Sequence, residues 1–375
     1  MIAYRSMTLS AAALAAGLVA AQPAAAQELI FGSWTPAKEY QNQVLPGMFK
    51  EIEDATKGAV KWKLVPGGQL VDGKTTFTGV KDGLIQAGLA IPTYVPNTVP
   101  AMFMIYSTVV LGHNDVVAAS GAALETMYFN CPECLDEIKK LNAVALGGWT
   151  SSAYLLNCTT PVKSLADLKG KRIRATGGNA EMFKMQGAVP VGATLAEAVS
   201  LLQRGGLDCQ HGIADWMRTF GYADFAKYVV DMPLGLTGPA LGFYMNRDAW
   251  NKLTPEQKNI HLEEAVKLSA EMAIGNFLVA NEEGLQAVIK DKGVQMIKPD
   301  ADFEKVVTEY QKVQKARNVE IGKSFGLKDP AAIIDAYEKN IEKWRKLSPE
   351  IGRDVNKFTE ALNREIYSKL DVNKL

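Results

Sequence analysis

Arg174 is the residue of this sequence best placed to do chemistry. It closes the strand-like run Lys171-Arg172-Ile173-Arg174-Ala175 and leads into Thr176-Gly177-Gly178-Asn179. In open α/β sheets ligands settle outside the carboxyl ends of strands. A guanidinium there can fork two parallel hydrogen bonds onto a carboxylate, a geometry lysine cannot supply. The competing reading is a surface arginine on an edge strand, and the residues alone favour neither. Trp34, Tyr94, Trp149, Tyr154 and Trp216 fall at loops or strand ends rather than at helical core spacing. They are candidates to line a mostly apolar pocket, with Gln210 and His211 following a strand at the same edge. Taken singly, each of them reads more readily as core than as a ligand contact.

No catalytic signature accompanies these residues. The chain lacks GxSxG, HExxH, a Walker loop and a GxGxxG followed by an acidic residue, the local patterns that mark common hydrolases, zinc enzymes and nucleotide binders. His113, His211 and His261 share no ligand spacing with a carboxylate or cysteine, and His261 reads as a helix-surface residue. No cofactor or metal is expected. Cys131, Cys134, Cys158 and Cys209 allow three pairings. Cys131-Pro132-Glu133-Cys134 has metal or redox spacing, but no second CxxC or neighbouring histidine completes a zinc set. In an oxidising compartment a local disulfide is the plainer reading. With that bridge formed, Cys158 and Cys209 can pair only if their strands bring the Cα atoms within about 7 Å.

The N-terminus bears on that compartment. Arg5 and the free amine precede an uncharged, small and apolar run from Leu9 to Ala21, and Ala24-Ala25-Ala26 offers a small-x-small cleavage site before Gln27. The pattern is that of a signal peptide, and its apolar run is shorter than the roughly 20 residues a membrane span needs. The expected mature protein is therefore exported and works outside the cytoplasm, without membrane insertion. Lys plus Arg number 41 and Asp plus Glu 41. That balance leaves no basic excess for nucleic acid or a membrane surface.

A mature chain of about 350 residues is too long for one core and suits two lobes. Leu29-Ile30-Phe31-Gly32 reads as a strand, and Val44, Leu45, Met48, Phe49 and Ile52 give helical spacing closed by Gly58. Val60, Trp62 and Leu64 alternate with lysines as a half-buried strand does, and Val80 to Gln86 reads as a helix before Ala87–Ile91. Ser164/Asp167 and Thr194/Glu197 have capping-box spacing, with stops at Gly170 and Gly205 and a strand at Leu207–Gln210. Thr254-Pro255-Glu256-Gln257 opens a third helix that persists toward Lys292 and Gly293. At about 50 Å that helix must lie across both lobes. Val294–Ile297 reads as a strand, and 301–375 is charged and helical with breaks at Pro330 and Pro349. The expected fold is α/β with mostly parallel sheets. Its first lobe takes 27–152 and 242–290, and its second takes 153–241 and 291–375.

Pro161-Val162-Lys163-Ser164-Leu165-Ala166-Asp167-Leu168-Lys169-Gly170-Lys171-Arg172-Ile173-Arg174 closely resembles a signature of TRAP-transporter substrate-binding proteins of the DctP family. Ala196 to Asp208 resembles that family's second signature, and Pro66-Gly67-Gly68-Gln69-Leu70 with Val80 to Ala90 its first-lobe loop and helix. The resemblance covers nearly all of the mature chain. It implies a two-lobed, monomeric periplasmic binding protein that closes on a small carboxylate and delivers it to the membrane permease of a TRAP transporter. It also implies that Arg174 anchors the ligand carboxylate. A second basic position of sialic-acid-type members corresponds to Tyr154, the glycine after the aspartate is Cys209, and ligand-loop asparagines align near Gly177 and Gly212. The anchor is retained while the shell around it differs, which argues against sialic acid. Two rivals remain at this stage: a sensor that presents the ligand to a membrane receptor, and a secreted hydrolase.

Overall fold

The computed structural model describes residues 27–112 and 114–375; the expected signal segment and His113 lie outside the described residues. Two six-stranded sheets organise the chain. The first runs in the spatial order Val60–Val65, Gln27–Gly32, Ala87–Ala90, Ala240–Asn246, Ala143–Ala145, with Gly148–Trp149 paired to Ala240–Asn246 as well. The second runs Gln295–Ile297, Tyr228–Val230, Leu155–Cys158, Cys209–Gly212, Arg172–Arg174, Val189–Val191. The protein is thus a two-lobed α/β structure. Its sheets are mixed rather than mostly parallel. Ala240–Asn246 and Leu155–Cys158 run antiparallel to their neighbours. Both strands are entered where the chain passes between lobes, so no crossover helix turns them parallel.

The three capping boxes form with both halves present, at Ser164/Asp167, Thr194/Glu197 and Thr254/Gln257. Each satisfies two orphan donors and fixes where its helix starts. The helix read at Val80–Gln86 instead occupies Thr76–Lys81. Gly83 takes φ +75°, a left-handed turn that stops the helix and frees Ile85 to enter the core. The helical run from Thr254 is continuous across both lobes. Pro255–Glu271 packs on Tyr40–Ala55, and Asn281–Lys292 packs on Asp215–Thr219 before Gly293 ends it at φ +64°. Between them Met272–Ala280 is wound as a wider π-helix.

Assigning 291–375 wholly to the second lobe does not describe the structure. Lys305–Ser324 packs on Gly177–Met185 of the second lobe, but Pro330–Ile351 lies along Val116–Glu125 and Val355–Glu365 lies along Pro255–Glu271. Ile333, Tyr337, Trp344 and Ile351 form a helical stripe buried in the first core. A Cβ on Gly121 would stand 2.3 Å from the Trp344 ring, so that glycine is what lets the helix dock. Pro330 begins this helix, and Pro349 sits inside its last turn.

His261 is not on a helix surface. It is fully buried, its Nε2 accepts from Trp62 Nε1 at 3.0 Å and its Nδ1 meets the Gln257 carbonyl at 2.7 Å. Because an indole N–H can only donate, the ring is the neutral Nδ1–H tautomer. Burial pushes its pKa down to about 4, against about 6.5 in an unfolded chain. As pH falls from about 6.5 towards 4 the unfolded chain takes up a proton that the folded chain refuses. This site therefore removes up to about 1.4 kcal/mol of stability per pH unit in that window. Urea unfolding of the wild type and His261→Phe at pH 7 and 4.5 checks this. The wild-type advantage should shrink by about 2–3 kcal/mol at the lower pH, and an unchanged gap would contradict the assignment.

Candidate functional site

Arg174 ends its strand inside the protein, 3% exposed. Its Nε donates to the Ala193 carbonyl at 2.9 Å, Nη1 to the His211 carbonyl at 3.1 Å, and Nη2 to the Tyr94 hydroxyl at 3.2 Å. A guanidinium carries five N–H donors, so one remains on each of Nη1 and Nη2. Among the described residues no carboxylate forms an ion pair with it. A buried charge without a counter-ion costs several kcal/mol, so this site favours an incoming anion. The Tyr94 hydroxyl accepts from Arg174 and from the Leu195 N–H at 3.3 Å. That leaves its own proton to donate, and burial raises its pKa so that the proton stays.

Tyr94 belongs to the first lobe and Arg174 to the second, so this contact crosses the cleft. A second crossing pair, Lys74 to Glu197 at 2.7 Å, is about half exposed on both sides. Exposed pairs contribute at most about 1 kcal/mol, and closure must depend mainly on the buried contacts.

Arg174, Trp34, Tyr94, Trp149, Tyr154 and Trp216 all line one cavity between the lobes. The free space is small, about 50 Å³. The aromatic walls are held by specific neighbours. Trp34 Nε1 donates to the Leu89 carbonyl at 2.9 Å and its ring meets Tyr94 edge-on at 5.8 Å. Tyr154 meets Trp216 at 5.4 Å. Trp149 lies on Gly242, where a Cβ would be 1.9 Å from the ring, and Trp216 covers Gly212 at 2.5 Å. A side chain at position 212 would have to displace Trp216 or the Gln210 amide.

Gln210 and His211 do not line the cavity; they stand behind it. Gln210 accepts from Asn157 Nδ2 at 3.0 Å and donates to the His211 carbonyl at 2.9 Å. The His211 ring packs between Tyr154 and Phe183 at 5.1 and 4.9 Å. Burial, reinforced by the charge of Arg174, holds it well below the usual histidine pKa. His211 therefore acts on the site through its carbonyl, which positions Arg174.

Sequence reasoning missed the polar part of the first-lobe wall, where Glu39, Gln41 and Asn276 line the cavity. The Glu39 carboxylate accepts the Gln41 N–H at 2.9 Å as a helix N-cap, and burial pushes its pKa up to about 7. Asn276 stands in the π-wound segment with Met272 and Phe277, which also line the cavity. An asparagine inside the otherwise apolar Met272-Ala273-Ile274-Gly275-Asn276-Phe277-Leu278-Val279-Ala280 was the available signal. The structure also joins Cys131 to Cys134 and Cys158 to Cys209.

Two α/β lobes closing on a buried cationic pocket define a two-lobed binding protein. The chain matches bacterial extracellular solute-binding protein family 7, DctP, over residues 31–320, and it belongs to that family. It is 28% identical over 291 residues to the 2,3-diketo-L-gulonate-binding periplasmic protein of Escherichia coli, covering 73% of this chain and 81% of that one. A TRAP periplasmic solute-binding protein from Bordetella bronchiseptica, solved with both mandelate enantiomers, superposes with a TM-score of 0.72 at 23% identity, covering 84% of this chain and 99% of the other. A TRAP solute-binding protein from Rhodoferax ferrireducens, solved with benzoate, gives 0.74 at 18%, covering 86% and 99%.

Proposed function

We propose that this protein is the periplasmic solute-binding component of a TRAP transporter, capturing a small organic carboxylate between its lobes and handing it to a membrane permease. The observation that carries this is Arg174: a buried guanidinium in a cavity, without a carboxylate partner among the described residues and with two N–H donors left. The ligands named for the relatives, diketogulonate, mandelate and benzoate, are all small acids. Binding would shift an open–closed equilibrium by its differential affinity for the closed form. Tyr94 would report closure, because its hydroxyl joins Arg174 and the Leu195 N–H across the cleft. The reading includes no catalytic step. The cleavage pattern at Ala24-Ala25-Ala26 supports export, and the two disulfides suit an oxidising compartment.

Thermal unfolding with a panel of small organic acids and their uncharged amides tests it. A ligand at a hundred times its Kd stabilises the folded state by about 2.7 kcal/mol. At least one acid should raise the melting temperature while its amide does not. Equal shifts from acid and amide would overturn the carboxylate reading.

A further inference from the structure

The Arg174 end of the cavity accounts for one carboxylate and nothing else about the ligand. The first-lobe wall has its own unmet chemistry. Asn276 is fully buried, and both its amide nitrogen and its amide oxygen lack a partner among the described residues. Gln41 donates through Nε2 to the Gly242 carbonyl at 3.1 Å, while its Oε1 is buried without a partner. Glu39 stands on the same wall. Arg174 is the one lysine or arginine among the residues that line the cavity. Polar groups buried this deeply are normally paired, and an exception calls for an explanation.

We propose that the ligand is a monocarboxylic acid whose body carries a second, uncharged hydrogen-bonding group, a hydroxyl or an amide, that pairs with Asn276. The inference rests on Arg174 as the carboxylate anchor. Asn276 presents an unpaired amide NH2, which donates, and an unpaired amide oxygen, which accepts. A hydroxyl or an amide can serve both, a carboxylate can serve only the donor, and an ammonium only the acceptor. A second carboxylate would also share with Glu39 a cavity whose one lining lysine or arginine already holds the first, and two carboxylates at one site disfavour each other's ionisation. Trp34, Trp149, Trp216 and Phe277 add broad apolar surface to the walls, which suits a compact hydrocarbon body between the two polar ends. A site built to hydrogen-bond a substrate group rejects the analogue lacking it, because its own polar atoms are then left unpaired.

Calorimetry on the wild-type protein with two matched series decides this. One series is meta-toluate, meta-hydroxybenzoate, isophthalate and meta-(aminomethyl)benzoate; the other is valerate, γ-hydroxybutyrate, glutarate and γ-aminobutyrate. In at least one series the hydroxyl member should bind at least about tenfold more tightly than the methyl, dicarboxylate and ammonium members. Asn276→Leu should bring the hydroxyl-to-methyl ratio to within about threefold without weakening the methyl member. If that variant fails to fold, the wild-type ratios decide alone. Methyl or dicarboxylate members binding as tightly as the hydroxyl member in both series would overturn the proposal while leaving the Arg174 reading intact. A ratio unchanged by Asn276→Leu would mean that Asn276 pairs only with ordered water, and would also overturn it. No binding by any of the eight acids would instead overturn the carboxylate reading itself.

Discussion

Replacing Arg174 with alanine should weaken binding of a cognate acid at least about thirtyfold. Removing one partner of a buried hydrogen-bonded charge pair costs roughly 2–5 kcal/mol, and each 1.4 kcal/mol is a factor of ten in affinity. The geometry explains why the loss should be this large. Arg174 holds the Ala193 carbonyl, the His211 carbonyl and the Tyr94 hydroxyl in three directions. Those contacts fix the guanidinium plane and cost no further side-chain ordering when the ligand arrives. Arg174→Lys should recover only part of the affinity, since a single ammonium cannot meet three acceptors and still fork onto a carboxylate. The unliganded protein should tolerate either change better than binding does, because the charge lacks a counter-ion there. Calorimetry on whichever acid gives the largest thermal shift measures this directly. An Arg174→Ala affinity within threefold of wild type would take this residue out of the site.

Much of the framework was legible because local rules acted without competition. The three capping boxes and the Gly293 stop are decided within a few residues, and they form as their spacing predicts. The same locality misled at Val80–Gln86, where apolar spacing continued past Gly83 but the backbone did not. His261 could not be read correctly from its own helix. Its burial is imposed by Trp62, Phe243 and Trp250, which reach it from elsewhere in the chain. The C-terminal boundary failed for a similar reason: a charged helix with one apolar stripe does not say which lobe will cover it, and the absent side chain of Gly121 decides.

Within the site, the aromatic and cationic positions stood out because they interrupt helical spacing. Gln210 and His211 stood out too, yet their strand turns them toward Asn157, Tyr154 and Phe183 and away from the cavity. Glu39, Gln41 and Asn276 were hidden inside ordinary helical sequence. Only the packing of the two lobes and the long helix brings the three residues to one cavity.

Breaking the Cys158–Cys209 bridge should cost clearly more stability than breaking the Cys131–Cys134 bridge. The two residues lie opposite each other in register on adjacent antiparallel strands, with Cα atoms 4.0 Å apart and a sequence separation of 51. Chain entropy assigns a closed loop of that length about 4 kcal/mol. The bridge at Cys131 and Cys134 closes a separation of only 3, so the unfolded chain gains far less freedom when it is cut. Position adds to the difference. The strands carrying Cys158 and Cys209 lie in the interior of the second sheet, and the latter supplies the carbonyl that holds Arg174. Urea unfolding of Cys158→Ala/Cys209→Ala should therefore show a loss of about 3–5 kcal/mol, and Cys131→Ala/Cys134→Ala a clearly smaller one. Acid affinity in the folded Cys158→Ala/Cys209→Ala protein should stay within about tenfold of wild type, since the Ala193, Tyr94 and His211 contacts to Arg174 do not involve sulfur. A stability loss below about 1 kcal/mol would show that the strand pairing and the Asn157–Gln210 contact beside it already hold the unfolded chain's ends together without the bridge.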